Sequence, residues 1–312
     1  MLSFKSCAIS YRKNDLSQSP MNHLLAAHRR LEETDALFSY SPDCLSSIPW
    51  STIRYADHTL PIHWDQTTDQ SSRRIVLQKR FFEWLSQFVG PLPGKRVLDL
   101  FSGPGVAASV LLDMGIAHYT GVDGNLRIVD WASEKYGGDS RVTILHRNVL
   151  TDVVFLAKKF DVILISYEVL NSLREHEESV LQRLINFASG EGTFLAGDIR
   201  LVDEQQISYR IGLSDYCHIT DTTGICIDEF GLAGSGALQG HRYMLYARSG
   251  SLVQCGHHFV RLLTANDLKR FLRGLGFEPI SNCQLLRDSA SDVLESLNNL
   301  FFVGRRSVQA NS

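Results

Sequence analysis

Hydrophobic and polar positions follow two alternating periods along the middle of the chain. Short apolar runs, typical of buried strands, precede longer segments in which apolar residues recur at every third or fourth position. The predicted strands are 97–101, 119–123, 142–146, 161–166 and 193–198. The helices predicted between them are 106–114, 126–136, 153–158 and 175–188. This alternation predicts right-handed βαβ units and a parallel sheet.

The pattern changes on both sides of this core. The first 70 residues are irregular, with one helical stretch at 24–37, and a helix is predicted between Ser71 and Gly90. After Arg200, β-like segments alternate with glycine-rich turns, which predicts antiparallel strands. These segments are 225–230, 243–248 and 256–263. A capping box at 264–267 then opens a last helix, and strands at 279–287 and 298–305 follow.

The expected organisation is therefore an N-terminal extension or flap, a core, an inserted lobe and a C-terminal part that completes the core sheet. Their predicted bounds are 1–70, 71–200, 201–263 and 264–312. The fold class is α/β, with an inserted antiparallel β lobe and an N-terminal extension.

Composition narrows the function classes. The chain has 312 residues, a net charge of −3 and 44% hydrophobic residues, and it lacks a basic block, so nucleic acid is not favoured as a partner. No apolar run approaches the roughly 18 residues that a membrane span requires. Six scattered cysteines without a C-x-x-C pair suit reduced thiols, and we expect a cytoplasmic protein. Cys255, His257 and His241 form too poor a ligand pattern for zinc, so no metal is expected.

Two carboxylates, Asp99 and Asp123, lie near the ends of the first two predicted strands. Within Asp99-Leu-Phe-Ser-Gly-Pro-Gly105, Ser102 to Gly105 form a tight turn that opens a helix, and Gly121-Val-Asp-Gly124 ends the second strand. Glycines let a ligand approach the backbone, and the carboxylate of Asp123 can accept both hydroxyls of a ribose. Glycine spacing alone admits NAD, because Ala108 could serve as the third small residue. Asp99 favours an amino-bearing or cationic ligand, because its charge would repel a pyrophosphate.

This turn resembles the first motif of class I S-adenosylmethionine-dependent methyltransferases, usually D/E-x-G-x-G-x-G. Phe101 stands where the family has its first glycine. The resemblance implies a Rossmann-like seven-stranded sheet and S-adenosyl-L-methionine as cofactor, with Asp99 at the methionine amino group, Asp123 at the ribose and Asn148 at the adenine. The residues expected at the cofactor are Asp99, Phe101, Gly103, Gly105, Asp123, Gly124, Asn148 and Ser166.

The segment 166–173 follows the fourth strand and resembles a Y-x-V-L-N stretch of small-molecule methyltransferases. Segments 212–216 and 225–230 resemble further parts of that group. Ligands gather at the carboxyl ends of parallel strands, so this loop is expected at the methyl group and its acceptor, with Asn171 orienting a polar substrate. Asp228, His257 and His258 are further candidates for a base. The catalytic candidates are Tyr167, Glu168, Glu229 and His241.

The resulting prediction is methyl transfer to an N, O or C centre of a small polar metabolite, by in-line displacement. Alternatives are an RNA or protein methyltransferase, an NAD-dependent oxidoreductase and a non-catalytic nucleoside-binding protein. The net negative charge and the lack of an Asn-Pro-Pro-Tyr-like turn after the fourth strand weigh against an RNA methyltransferase. Trp64 is expected in a flap over the cofactor, or in the core. A homo-oligomer is compatible with the sequence, which leaves the oligomeric state and the acceptor open.

Overall fold

The chain forms two β-sheets with helices packed on the larger one. The computed structural model describes residues 52–69, 71–151, 159–201, 210–217, 222–233, 238–247, 252–283 and 299–306. The helices predicted at 24–37 and 153–158 lie outside these residues. Within the described residues, none of the helices has the length and apolar character needed to cross a membrane.

The larger sheet has seven strands, five of which run parallel. In chain order they are β1 Arg96–Leu100, β2 His118–Asp123, β3 Val142–His146, β4 Val162–Ile165, β5 Phe194–Arg200, β10 Phe277–Cys283 and β11 Asn299–Arg306. Across the sheet the order is β10-β11-β5-β4-β1-β2-β3. Strands β1 to β5 pair in parallel, and β11 is antiparallel to both of its neighbours. The predicted Rossmann-like seven-stranded sheet is confirmed.

Six helices and one short 3₁₀ helix, Val169–Ser172, are described. The helices are α1 Ile53–Trp64, α2 Ile75–Val89, α3 Val106–Asp113, α4 Leu126–Tyr136, α5 Glu175–Ala188 and α6 Ala265–Gly274. Alternate residues of a strand point to opposite faces of the sheet, so β1 contributes to two apolar clusters. Leu98 and Leu100 pack with α5 and α6, whereas Val97 packs with α2, α3 and α4. The sheet is thereby covered on both faces, as a parallel sheet requires.

The smaller sheet is antiparallel and lies between β5 and α6 in the chain. Its strands, paired in chain order, are β6 Arg210–Cys217, β7 Thr222–Ala233, β8 Leu238–Tyr246 and β9 Leu252–Arg261. Three of the four were predicted. The pattern did not predict β6, which includes Gly212 and Asp215, two residue types that are depleted in strands.

Helix α1 lies in a segment for which no helix was predicted. Pro61 is inside it, and proline is a strong signal against a helix interior. The helix forms because Thr52 caps its first turn and because tertiary packing outweighs propensity. Ala56 and Leu60 pack with Ile128 of α4, and Asp57 pairs with Arg127 at 2.7 Å. Helix α1 is therefore anchored on the helix that follows β2.

The last turn of α1 ends close to the loop after β1. The Nδ1 atom of His63 lies 2.7 Å from the hydroxyl oxygen of Ser72. Its Cε1 atom is 3.4 Å from the point where a Cβ of Gly103 would stand. Burial lowers the pKa of His63 to about 4. The imidazole of His63 is thus held neutral between Ser72 and the glycine turn.

Asn171 joins the two sheets. Its side chain is fully buried, and its Nδ2 donates to the carbonyl oxygens of Arg200, at 2.9 Å, and Arg261, at 2.7 Å. Its Oδ1 accepts from the Arg200 amide at 2.9 Å. The amide that was expected to orient a substrate therefore bonds the ends of β5 and β9.

Replacing Asn171 by alanine should lower the free energy of unfolding by about 3 kcal/mol. Each buried backbone group left without a partner costs about 1–3 kcal/mol. Urea denaturation measures the change, and the exposed Asn282 of β10 is the matched control, expected within about 0.5 kcal/mol of wild type for Asn282→Ala. Equal effects of the two substitutions would contradict a joining role for Asn171.

His63 should make the protein less stable in acid. Its pKa falls from the ordinary 6.5 to about 4 on folding, so the unfolded chain takes up a proton first as the pH falls. This stabilising contribution is complete above pH 6.5 and is lost between pH 6.5 and 4. From pH 7.5 to 5, wild type should lose about 2 kcal/mol more unfolding free energy than His63→Asn. Denaturant titrations at the two pH values test this, and equal losses in both proteins would show that His63 is not held neutral.

Candidate active site

The turn between β1 and α3 has three residues with a left-handed backbone. The φ angles of Phe101, Gly103 and Gly105 are 62°, 53° and 74°. Such a backbone costs a residue with a Cβ roughly 1–2 kcal/mol. The Phe101 side chain packs partly against the apolar cluster around Leu100, which offsets some of this cost. Phe101 therefore has a left-handed backbone of the kind that favours glycine, although it carries a side chain.

The two glycines of the turn are enclosed by side chains from α1 and α4. A Cβ on Gly105 would lie 2.9 Å from Cε2 of Tyr136, whose hydroxyl donates to the Gly105 carbonyl oxygen at 2.6 Å. A Cβ on Gly103 would be in ordinary contact with His63. Tyr136 thus requires a glycine at 105, and α1 reaches the turn at 103.

Asp123 at the end of β2 holds the glycine turn in place. Its Oδ2 accepts from the Gly103 amide and its Oδ1 from the Asn125 amide, both at 2.9 Å. Burial raises the pKa of Asp123. Each carboxylate oxygen can accept a further hydrogen bond, so the geometry fits two ribose hydroxyls. Gly124, next to it, is exposed and has no atom closer than 3.9 Å to its Cβ position.

Asp99 lies beneath the turn and not at its surface. The residue is 3% exposed, and it accepts a 2.6 Å hydrogen bond from the hydroxyl of Tyr119. Burial raises the pKa of Asp99 to about 7. Gly121, opposite Asp99 in the register, makes room: a Cβ there would be 2.9 Å from both Tyr119 and Ser102. Asp99 can reach a ligand only through the groups that surround it.

The other two cofactor candidates lie at the same edge of the sheet. Asn148 follows β3 and is exposed, and its Oδ1 accepts from the Leu150 amide at 2.9 Å, which shapes the local turn. Ser166 is half-buried directly after β4. Their contacts with adenine or methionine stay predictions.

A buried charge cluster, formed by Arg73, Arg200, Glu168 and Asp198, lies at the carboxyl ends of β4 and β5. Arg73 is 8% exposed, and its Nη2 lies 2.7 Å from Glu168 Oε1 and 2.7 Å from Asp198 Oδ2. Arg200 pairs with the other oxygen of Glu168 at 2.6 Å. Burial lowers the pKa of Arg73, but the two carboxylates outweigh this effect and hold the pKa above its ordinary value, so the guanidinium stays charged. The cluster has two positive and two negative groups and is neutral as a whole.

The cluster holds Tyr167 in a strained conformation. Tyr167 and Glu168 have φ angles of 64° and 58°. The Tyr167 amide donates to Asp198 Oδ1 at 2.6 Å, its hydroxyl donates to the Asp69 carbonyl oxygen at 3.0 Å, and the Arg73 guanidinium lies 4.8 Å from the ring centre. Residues kept in sparsely populated backbone regions by several contacts cluster at functional sites. Tyr167 is 37% exposed, so its ring is accessible at this edge.

The smaller sheet brings histidines to this region. His241 Nε2 lies 2.9 Å from Asp228 Oδ1, and His258 pairs with His241 in the β8–β9 register. Burial is the main cause that lowers the pKa of His258 to about 4, and the charges of Arg200 and Glu168 also act on it. Glu229 occupies the next position of β7, in register with Arg242. A catalytic role for Glu229 stays a prediction.

The sequence analysis missed Arg73, Asp198, Arg200 and His63. Asp198 carried a usable signal, because it ends a predicted buried strand at the edge where ligands gather. Trp64 packs against Trp131 of α4, with ring centres 5.3 Å apart, and Lys135 lies 4.1 Å from its ring. In the part of the chain that is described, no three His, Cys, Asp or Glu side chains are grouped so that they could hold a metal ion.

Comparisons with known proteins agree with this geometry. Residues 97–192 match a family model described as a methyltransferase domain. Demethylmenaquinone methyltransferase of Clavibacter sepedonicus is 32% identical over 83 residues, which are 27% of this chain and 33% of that protein. The match therefore spans about a third of the length of this relative.

Two solved structures show the same fold at low sequence identity. An S-adenosylmethionine-dependent methyltransferase from Clostridium acetobutylicum ATCC 824 superposes with a TM-score of 0.59 and 13% identity, over 81% of this chain and 99% of that one. The sugar N-methyltransferase KedS8 from Streptoalloteichus sp ATCC 53650 superposes with a TM-score of 0.51 and 15% identity, over 75% and 88%. Together with the family model, these findings support S-adenosylmethionine as the cofactor. The prediction from the glycine turn is confirmed: the chain contains a methyltransferase domain with the fold of the class I S-adenosylmethionine-dependent methyltransferases.

Proposed function

We propose that the chain transfers a methyl group from S-adenosylmethionine to an N, O or C centre of a small polar metabolite. The observation that carries the proposal is the placement of two sites at one sheet edge. The glycine turn with Asp123 follows β1 and β2, and the charge cluster with Tyr167 follows β4 and β5. Because β1 pairs with both β2 and β4, cofactor and acceptor would lie side by side.

The residues at the first site suit the cofactor. Asp123 would accept the ribose hydroxyls, and the turn from Phe101 to Gly105 would offer its backbone to the methionine end. Asp99 would act on the methionine amino group indirectly, because it is buried under the turn. The remaining contacts would come from Gly124, Asn148 and Ser166.

Bound S-adenosylmethionine supplies a methyl group that its sulfonium already activates, so the protein contributes mainly position. Tyr167 is held on three sides and would form a fixed wall beside the acceptor. Glu168 has both carboxylate oxygens paired with guanidinium groups, which suits a structural role better than proton transfer. Helix α1 and the described residues that follow it, 65–69 and 71–73, would cover the edge and exclude water.

A small polar acceptor fits the chain better than RNA does. The net charge is −3 and the charge cluster is neutral, whereas RNA binding usually needs a positive groove. KedS8, named a sugar N-methyltransferase, shares the fold with this chain. The cytoplasmic location and the oligomeric state stay predictions.

Cofactor binding should depend on Asp123. Asp123→Asn replaces one acceptor oxygen by a donor, and hydrogen bonds to charged groups are worth about 1.5–3 kcal/mol, so affinity for S-adenosylhomocysteine should fall about tenfold to hundredfold. Isothermal titration calorimetry with S-adenosylhomocysteine measures this, with NAD as the competing ligand and the exposed Asp130→Asn as the matched control. Binding of NAD alone would overturn the proposed function, and an unchanged affinity in Asp123→Asn would overturn the ribose assignment.

Replacing Arg73 should lower the free energy of unfolding, because Arg73 holds the charge cluster together. Arg73→Met leaves Glu168 and Asp198 buried without their shared cation, and breaking a buried pair in this way costs about 3–5 kcal/mol. Arg73→Lys should cost less, because one ammonium can still pair with one carboxylate. Chemical denaturation at pH 7.5 measures both variants. Arg74→Lys is the control, because Arg74 pairs with Asp69 at 3.2 Å nearer the surface. Equal losses for Arg73→Met and Arg74→Lys would contradict a buried charge cluster.

A further inference from the structure

A histidine–carboxylate pair lies on the face of the smaller sheet that includes His258. His241 of β8 and Asp228 of β7 are 2.9 Å apart, and their side chains are 22% and 27% exposed. Asp228 accepts only if the proton is on Nε2 of the imidazole, so the lone pair of a neutral His241 is then on Nδ1. The pair thereby fixes one tautomer at a place that water and small molecules can reach.

The pair lies beside the charge cluster. His258 of β9 is the direct cross-strand neighbour of His241, and the charges of His241, Arg200 and Glu168 all act on His258. Tyr243, on the same strand and face, lies 6.4 Å from His241 between ring centres. The described groups around His241 include Asp228, His258 and Tyr243, and the charges of Glu168 and Arg200 act on His258.

The charge balance of this region favours a cationic ligand. Glu168 and Asp198 are matched by Arg73 and Arg200. Asp228 is paired with an imidazole instead, which is neutral whenever it is ready to accept a proton. In that state these six side chains together carry one net negative charge, and this charge would attract a cation.

We propose that His241, oriented by Asp228, is the general base that prepares an amine acceptor arriving as an ammonium ion. This inference rests on the proposed methyl transfer and names its acceptor class. An N–H bond of the ammonium breaks, its electron pair stays on nitrogen, and the proton moves to Nδ1 of His241. The nitrogen lone pair then forms the bond to the methyl carbon, while the electrons of the carbon–sulfur bond stay on sulfur. The imidazolium, stabilised by Asp228, later loses its proton to solvent.

The tautomer gives a test that needs no acceptor. Long-range ¹H–¹⁵N spectra of the ¹⁵N-histidine-labelled protein, assigned with His241→Gln, should show the Nε2–H tautomer for His241. Asp228→Asn should shift this signal, because the amide can also donate. A wild-type Nδ1–H tautomer, or a spectrum that Asp228→Asn leaves unchanged, would overturn the proposed orientation.

Activity gives the second test, with methyl-labelled S-adenosylmethionine and a panel of amino sugars, each beside its parent hydroxyl sugar. Label should appear on amine members only. His241→Gln should lower kcat about hundredfold near pH 7, because general-base catalysis is typically worth 10²–10⁴-fold. The loss should shrink about tenfold per pH unit toward the pKa of the amine, because free amine then forms in solution.

His257→Gln is the matched control, since strand alternation puts His257 on the opposite face of β9 from His258. The kcat of His257→Gln should stay within about twofold of the wild-type value. Label on hydroxyl members, no labelled amine in the panel, or an unchanged pH–rate profile in His241→Gln would overturn the inference. Failure of wild type to bind S-adenosylmethionine in calorimetry would instead overturn the proposed function.

Discussion

A guanidinium that is almost shielded from water must be paired with carboxylates, because the cost of burying an unpaired charge is far larger than the stability of a domain. Arg73 is shared between Glu168 and Asp198. Asp198 also accepts from the backbone of Tyr167, and Glu168 also pairs with Arg200. One side chain from the segment between α1 and α2 thus fixes the loop after β4 and the end of β5.

The same constraint explains why the segment before the core lies across the sheet edge. If Arg73 left the cluster, Glu168 and Asp198 would stay buried without the cation that they share. Arg73 is therefore held in place, and with it the described residues next to it. His63 then lies over Gly103, and Asp69 accepts from Tyr167. The cover over the glycine turn therefore depends on the charge cluster at the ends of β4 and β5.

The sequence predicted the core well because its signals are local. Strand and helix periods, the glycine turn and the acids near the ends of β1 and β2 are all read within short windows, and those in the described core lie where the pattern indicated. Strand β6 escaped prediction because of its residue types, whereas helix α1 and the charge cluster escaped it for another physical reason. Their stability comes from contacts between distant segments: Arg73 and Asp198 are 125 positions apart, and Pro61 is tolerated in α1 because Ala56 and Leu60 pack on α4.

Burial also changes the interpretation of two acidic residues, Asp99 and Glu168, to which the sequence analysis assigned a free negative charge. The sequence argument against a pyrophosphate assumed a full negative charge on Asp99, but burial raises its pKa to about 7, so that this charge is only partly present near neutrality. Glu168, read as a candidate base, is neutralised by two guanidinium groups. In the proposed function, Asp123 therefore takes the ribose hydroxyls, and proton transfer is assigned to His241, which Asp228 orients. This assignment follows from the ion pairs: both oxygens of Glu168 are taken up by guanidinium groups, whereas His241 is paired with a carboxylate, which stabilises its protonated form.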